Sequence, residues 1–268
     1  MQICFHTKFG NLQIFLSILF IFFLAGCKFE STSNIYLADL IDIKESKEPI
    51  LAESTIKIQV PGKSAYEKNK VRIKDLLSRH FPDIKDLSCE QTGFETFVVA
   101  RTKIPIWYNA NIKGSESSTQ ILSIMVSNFQ KGQKHFAKIF LAVAKDKYLE
   151  FKGDFDNEFS GATLSADDFE KIKIILQNGQ KDPVTVFGMC VYVNGQPEPV
   201  GREIVLERRD SVDLVIPKIS IAKAFEAGES PFLLLQLENS NVVPEKVQTQ
   251  STPQKAPQNL FQKYKNKK

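Results

Sequence analysis

The chain has 268 residues, 43% of them hydrophobic and 25% charged, which is enough for one large or two small domains with real cores. Its formal charge is +4, but the excess sits in the tail, where Lys246, Lys255, Lys263, Lys265, Lys267 and Lys268 stand against Glu245 alone. The body before the tail is slightly acidic, which argues against a nucleic-acid-binding domain, and no nucleic-acid partner is expected.

Residues 1–11 form a polar leader whose only full charge is Lys8, and residues 12–23 are an apolar run interrupted by Gln13 and Ser17. A positive leader, a short apolar stretch and small residues at a cleavage site mark a secretory signal. The run is also shorter than the roughly 20 residues a bilayer span needs. Leu24-Ala25-Gly26-Cys27 follows at once, with small residues at 25 and 26 where a peptidase must approach the backbone. This box resembles the lipobox of bacterial lipoproteins at all four positions. The resemblance implies that Leu24, Ala25 and Gly26 are read by a lipoprotein signal peptidase and that Cys27 becomes the new N-terminus. It further implies a diacylglyceryl group on the Cys27 thiol and acylation, by palmitate or a similar chain, of the amine. At about 0.8 kcal/mol per buried CH₂, one chain holds marginally and two or three hold stably. Lys28 rather than Asp follows the cysteine, resembling the enterobacterial signal for the outer membrane, facing the periplasm.

After the signal peptide, 1–26, residues 27–54 read as the lipidated cysteine and a tether, with weak alternation at Ile35, Leu37 and Leu40. Residues 55–60 alternate Ile56, Ile58 and Val60 as a half-buried strand. Pro61-Gly62 is a turn, and 65–80 is an amphipathic helix carrying Val71, Ile73, Leu76 and Leu77. Residues 94–108 are aromatic and β-branched, with Pro105 marking an edge or a break. Strands at 120–129 and 136–144 flank a Lys131-Gly132 turn. Tyr148, Phe151, Phe155 and Phe159 recur at helical spacing over 145–159 despite Gly153. Strands follow at 168–177, 184–193, 202–209 and 211–216, with turns at Asn178-Gly179, Asn194-Gly195 and Arg209-Asp210. A short helix over 219–227 capped by Gly228 and an apolar strand over 231–237 complete the body. This order predicts an α+β fold: an antiparallel, β-rich body with two or three helices. It divides into an α+β module at 55–160 and a β-rich module at 161–240, meeting near Gly161, with one continuous domain as the alternative. The tail, 241–268, rich in Gln, Pro, Thr and Lys, is expected to be disordered.

With Cys4 removed and Cys27 lipidated, Cys89 and Cys190 remain. An exported protein folds in an oxidising place, so this pair invites a disulfide, with two separate thiols as the alternative. His80 and His135 have no metal-ligand spacing with them, and no metal is expected. Pro61-Gly62-Lys63-Ser64 lies between strand and helix, but a phosphate-binding loop needs a glycine where Lys57 stands. Ser64 and Glu67 instead fit a capping box. Asp154, Asp156 and Glu158 resemble the start of a calcium loop, yet Phe159 and Ser165 occupy its glycine and acid positions, so a solvated helix face is expected. There is no Gly-x-Ser-x-Gly elbow, and His80 fits the C-terminal end of a helix dipole better than a general base. No enzyme activity and no cofactor are expected. Trp107-Tyr108 is the most concentrated aromatic feature, read either as an edge strand under a loop or as a contact patch.

Ser31-Thr32-Ser33-Asn34-Ile35-Tyr36, Val191-Tyr192-Val193-Asn194-Gly195 and Leu206-Glu207-Arg208-Arg209 resemble an uncharacterised lipoprotein family associated with prophages and other mobile elements. That resemblance implies an accessory role at the cell envelope and carries over no functional residues. Two functions are expected from it and the lipobox. One is a non-enzymatic envelope lipoprotein that binds protein partners in mobile-element transfer, secretion or exclusion. The other is a periplasmic ligand-binding or inhibitory lipoprotein, which needs an apolar cleft with convergent polar groups.

Overall fold

The computed structural model describes residues 27–46, 48–109, 120–159 and 164–237. The signal segment, Gly161 and the tail lie outside them.

The first expectation to fall is the tether. Phe29–Tyr36 is a strand, β1, with Phe29, Ser31, Ser33 and Ile35 buried on one face. A one-and-a-half-turn helix follows, α1 (Leu37–Asp42), and then β2 (Ile50–Val60), which buries Ala52, Ser54, Ile56, Ile58 and Val60. The serines at 31, 33 and 54 disguised these strands, because polar residues alternating with polar residues give no period-two hydropathy signal. They are small enough to sit inside, and Ser54 Oγ donates to Ser33 Oγ at 2.7 Å across the pair.

Helix α2 (Lys63–His80) leaves β2 and buries Tyr66, Ile73, Leu76, Leu77 and His80. It starts at Lys63 with Gly62 as N-cap and no side-chain cap, so the Ser64–Glu67 capping box does not form. Strand β3 (Lys85–Thr92), almost wholly exposed, forms a hairpin with β4 (Glu95–Tyr108). Next come β5 (Leu122–Lys131), β6 (Lys134–Val143) and α3 (Lys145–Glu158). After a 3₁₀ turn at Ala166–Asp168 the chain forms β7 (Phe169–Gln177), β8 (Val184–Val193), β9 (Gln196–Leu206) and β10 (Ser211–Ile216). Helix α4 (Lys218–Ala227), ended by Gly228 in the left-handed region, leads into β11 (Glu229–Leu237).

All eleven strands join one sheet in the order β10-β7-β1-β2-β4-β5-β6-β11-β8-β9, with β3 attached to β4. Pairing of Leu214 with Val193 and of Val215 with Tyr192 joins β10 back to β8. Nine strands thereby close into a barrel, and the fold is mostly β rather than α+β. Closure also removes the two modules. β7 lies between β10 and β1, running parallel to β1, while β11 lies between β6 and β8, so each proposed half completes the other. The hydrogen-bonded level, followed round from Phe29, climbs as closure of tilted strands requires and returns past the far end of β1.

Pro105 lies at a local edge of β4, where one side of the strand is unpaired. On one side β4 pairs with β2 through Leu51↔Pro105; on the other it pairs with β3 as far as Arg101 and with β5 only from Ile106. Lys103 N–H turns to that second side, donating to Pro82 O. Pro105, two residues on, therefore faces the gap between β3 and β5, where no donor is needed.

The interior is filled. Ile56, Ile58, Ala100, Ile104, Ile106, Val126, Ile139, Ile174 and Leu214 point into it, while Glu30, Glu53, Lys57, Lys171 and Lys173 alternate outward. That polarity is the reverse of a lipid-embedded barrel. Helices α2, α3 and α4 follow the ends of β2, β6 and β10. Their rings close over Phe29 and Phe169, the first residues of β1 and β7, which lie 4.4 Å apart. Phe225 packs edge-on to Phe169 at 4.9 Å, and Phe81 meets both Phe29 and Phe151. No helix among the described residues is long and apolar enough to cross a membrane.

Candidate functional site

Cys27 stands two residues before Phe29, whose ring belongs to the aromatic plug, so the chain enters the barrel with no slack. Cys27 is buried. Lys28 N–H donates to Gln59 Oε1 at 3.2 Å, and Gln59 N–H returns a bond to Lys28 O at 2.8 Å. The Lys28 ammonium pairs with Glu95 at the start of β4 and lies 3.9 Å from Glu170 on β7. Glu170 in turn meets Lys218, the first residue of α4, at 3.6 Å. The hydrogen bond to Glu95 raises the Lys28 pKa above its ordinary value; desolvation opposes it, and the charges of Glu170, Glu95 and Glu30 add to the rise. A raised lysine pKa means the pairing is fully present at neutral pH and is lost only as pH climbs through alkaline values. The entry point is thus clamped to β2, β4 and β7 at once.

The remaining sequence candidates do not converge. Cys89 lies on β3 and Cys190 on β8, on strands separated in the sheet by β4, β5, β6 and β11, and each is an unbridged thiol. The disulfide is therefore not formed. Burial pushes the Cys89 thiol up, with Lys63 opposing and Glu67 adding to the shift, so it is a poor nucleophile. Cys190 is exposed at φ +54°, where β8 switches which face it buries, from Val186 to Val191. Trp107 and Tyr108 end β4, half-buried beside Met125 and Val126 of β5, and offer no open aromatic platform. His135 opens β6, half-buried opposite Gln130 and Leu237.

His80 is only 6% exposed, so it does not act as a solvated cap of the helix dipole. Its Nε2 lies 2.9 Å from Asp154 Oδ2, and because a carboxylate accepts, Nε2 carries the hydrogen. Arg79 shares that oxygen at 2.8 Å, and the imidazole stands edge-on to Phe151. Asp156 pairs with Lys152 and accepts from Leu164 N–H, while Glu158 meets Arg72 at 3.8 Å. These acids bind α3 to α2 and to the chain beyond it. They form no ligand cage, and no group of metal-binding side chains occurs among the described residues.

A family model for a domain of unknown function, DUF7424, matches residues 29–239. The chain belongs to the DUF7424 family. The match begins at the first residue of β1 and ends just past β11, so the DUF7424 domain coincides with the closed barrel. No curated protein and no solved structure matches the chain.

Sequence reasoning missed two neighbours of the DUF7424 entry point. Phe94 was read as the start of a strand, but it occupies the tip of the β3–β4 hairpin and is 106% exposed. Ile219 opens the predicted helix over 219–227, and at the first turn of α4 it is 77% exposed. A polar run ending in Thr92-Gly93 was the available signal for the hairpin. Nothing in the sequence marked Ile219.

Proposed function

We propose that this DUF7424 protein is a bacterial envelope lipoprotein, acylated on Cys27 and held at a membrane, that binds protein partners through the outer surface of its barrel. The observation that carries the reading is the Leu24-Ala25-Gly26-Cys27 box after an apolar run, placed two residues before the first barrel strand. Cleavage at Cys27 would leave the acylated residue two positions ahead of the first strand of the barrel. The outer membrane is the proposed destination, from Lys28 in the position after the cysteine. A non-enzymatic role fits side chains whose ionisable groups are consumed in structural pairs, such as His80 with Asp154.

Among the described residues, the cavity between β2, α2 and α3 gives a ligand-binding lipoprotein little support. The pocket lined by Ile58, Val60, Ile73, Leu76, Leu77, Val98, Phe155 and Phe159 has a volume of about 10 Å³, at the lower limit for a single water. Metabolic labelling with a palmitate analogue tests the anchor: label is expected on the wild-type protein and none on Cys27→Ser. An unlabelled wild-type protein, or equal labelling of both, sinks the reading. Crosslinking in intact cells tests the second half; recovery of identical background proteins with the acylated and Cys27→Ser forms would remove partner binding at the membrane.

A further inference from the structure

Single exposed apolar residues are ordinary on protein surfaces. What distinguishes Phe94 and Ile219 is where they stand. Thr92 pairs with Glu95, so Gly93 and Phe94 form a two-residue hairpin loop, with Gly93 at φ +61° supplying the left-handed residue that such loops need. Phe94 is thereby presented on a tight, rigid tip. The residue after it, Glu95, holds Lys28. On the other side Lys28 faces Glu170, Glu170 holds Lys218, and the residue after Lys218 is Ile219. This ion chain puts the two most exposed large apolar side chains among the described residues on either side of the residue that follows Cys27.

The charges at this point nearly cancel. Glu95 and Glu170 are engaged by Lys28 and Lys218, Glu30 also acts on Lys28, and Lys63 and Glu67 of α2 both act on Cys89 with opposite sign. The patch therefore has apolar tips in an electrically balanced setting, which suits the headgroup–acyl boundary of a bilayer and not a polyanion. The proposed acyl chains on Cys27, one residue before Lys28, would enter the same surface and point to the same occupant.

We infer that Phe94 and Ile219 are membrane-inserting residues that seat the helix-plugged end of the barrel on the phospholipid surface, on either side of the anchor. The inference rests on the lipid-anchor reading and adds to it a fixed orientation: the β1 end bearing Cys27 faces lipid, and the end bearing Tyr36 faces away. An eight-residue strand at roughly 3.3 Å per residue separates the two ends by about 25 Å. Because the contact is apolar, it needs no anionic lipid.

The test uses the acylated full-length protein in phosphatidylcholine vesicles with brominated acyl chains, which quench tryptophan only at short range. Trp107→Phe removes the native fluorophore, and Phe94→Trp or Tyr36→Trp supplies a single reporter at each end. Both reporter sites are exposed, so folding is expected to survive and is checked by circular dichroism. Phe94→Trp is expected to lose most of its emission, and to do so equally at high salt, while Tyr36→Trp keeps its emission. Vesicle association with neither reporter quenched, or with both quenched alike, overturns the orientation while leaving the anchor intact. Loss of association together with loss of quenching overturns both. Quenching that requires added anionic lipid or vanishes in salt overturns the apolar contact.

Discussion

At the residue scale, Asn178 bears more of the structure than its place in an Asn-Gly turn suggests. It is wholly buried. Its Nδ2 donates to Leu206 O at 2.8 Å and Asp182 O at 3.0 Å, and its Oδ1 accepts from Gln180 N–H at 2.9 Å. Its own backbone bonds with Asp210 O and Arg209 N–H, so one residue ties the end of β7 to the β7–β8 loop, the end of β9 and the β9–β10 turn. Asn178→Ala leaves the buried Leu206 carbonyl without a partner and is expected to cost about 2–4 kcal/mol, read as a lowered urea midpoint with unchanged slope. Tyr148 is the opposite case. Its ring packs edge-on to Phe225 at 4.9 Å, but its hydroxyl is buried with no hydrogen-bond partner among the described residues. Burial, then the charges of Asp168, Asp156 and Asp167, holds the phenol far above its ordinary pKa. The folded state therefore resists ionisation that the unfolded chain accepts, and stability falls as pH rises through the unfolded value of about 10. Tyr148→Phe is expected to change stability by less than about 1 kcal/mol at neutral pH and to reduce the alkaline loss. A large loss at pH 7 in thermal melts would mean that the hydroxyl has a partner.

At the element scale, what could be read from the sequence depended on where each strand's inner face put its apolar residues. β6, β7, β8, β10 and β11 carry alternating or continuous Ile, Val, Leu and Phe, and the period predicted them within a few residues. β1 was obscured by Ser31 and Ser33, and β3 by an almost complete lack of burial. The aromatic spacing of α3 was correctly helical, and its partners across α2 explain why: Asp154 and Glu158 reach Arg79, His80 and Arg72. At the candidate site, Cys27 was evident from a short motif, whereas Phe94 and Ile219 gain meaning only from an ion chain that spans β1, β4, β7 and α4. Two glycines in helices test the same local logic with opposite signs. Gly228 ends α4 at φ +84°, and a Cβ there would meet nothing within 4 Å, so Gly228→Ala isolates backbone strain and should cost about 1 kcal/mol. Gly153 lies within α3 at helical φ with equally open space, so Gly153→Ala should stabilise by about 0.5–1 kcal/mol. Equal shifts in melting temperature for the two would contradict the assigned conformations.

At the scale of the whole molecule, closure is what local patterns could not express. An apolar inner face and a polar outer face look alike in an open sheet and a barrel, and the parallel pairing of β1 with β7 joins segments from opposite halves of the chain. The two-module expectation followed from reading hairpins one at a time; the closed sheet makes it wrong for a reason that can be measured. Residues 27–160 alone would contain β1, β2, β4, β5 and β6, with the β7 edge of β1 and the β11 edge of β6 both unpaired. Residues 161–238 would contain β7 and β10 without β1, and β11 without β6, exposing buried faces such as Ile172–Ile174–Leu176. Neither piece encloses a core, and open, long apolar edges favour aggregation over folding. Each fragment expressed alone should lack dispersed amide resonances, while the two mixed should recover the barrel only if their edges pair. In the intact chain, near- and far-ultraviolet circular dichroism should report one coincident transition, because no strand can leave without breaking the ring. The many pairings between distant segments should also make refolding slow. A dispersed spectrum from 27–160 by itself would restore the modular reading, since it would show that β1 can be satisfied without β7.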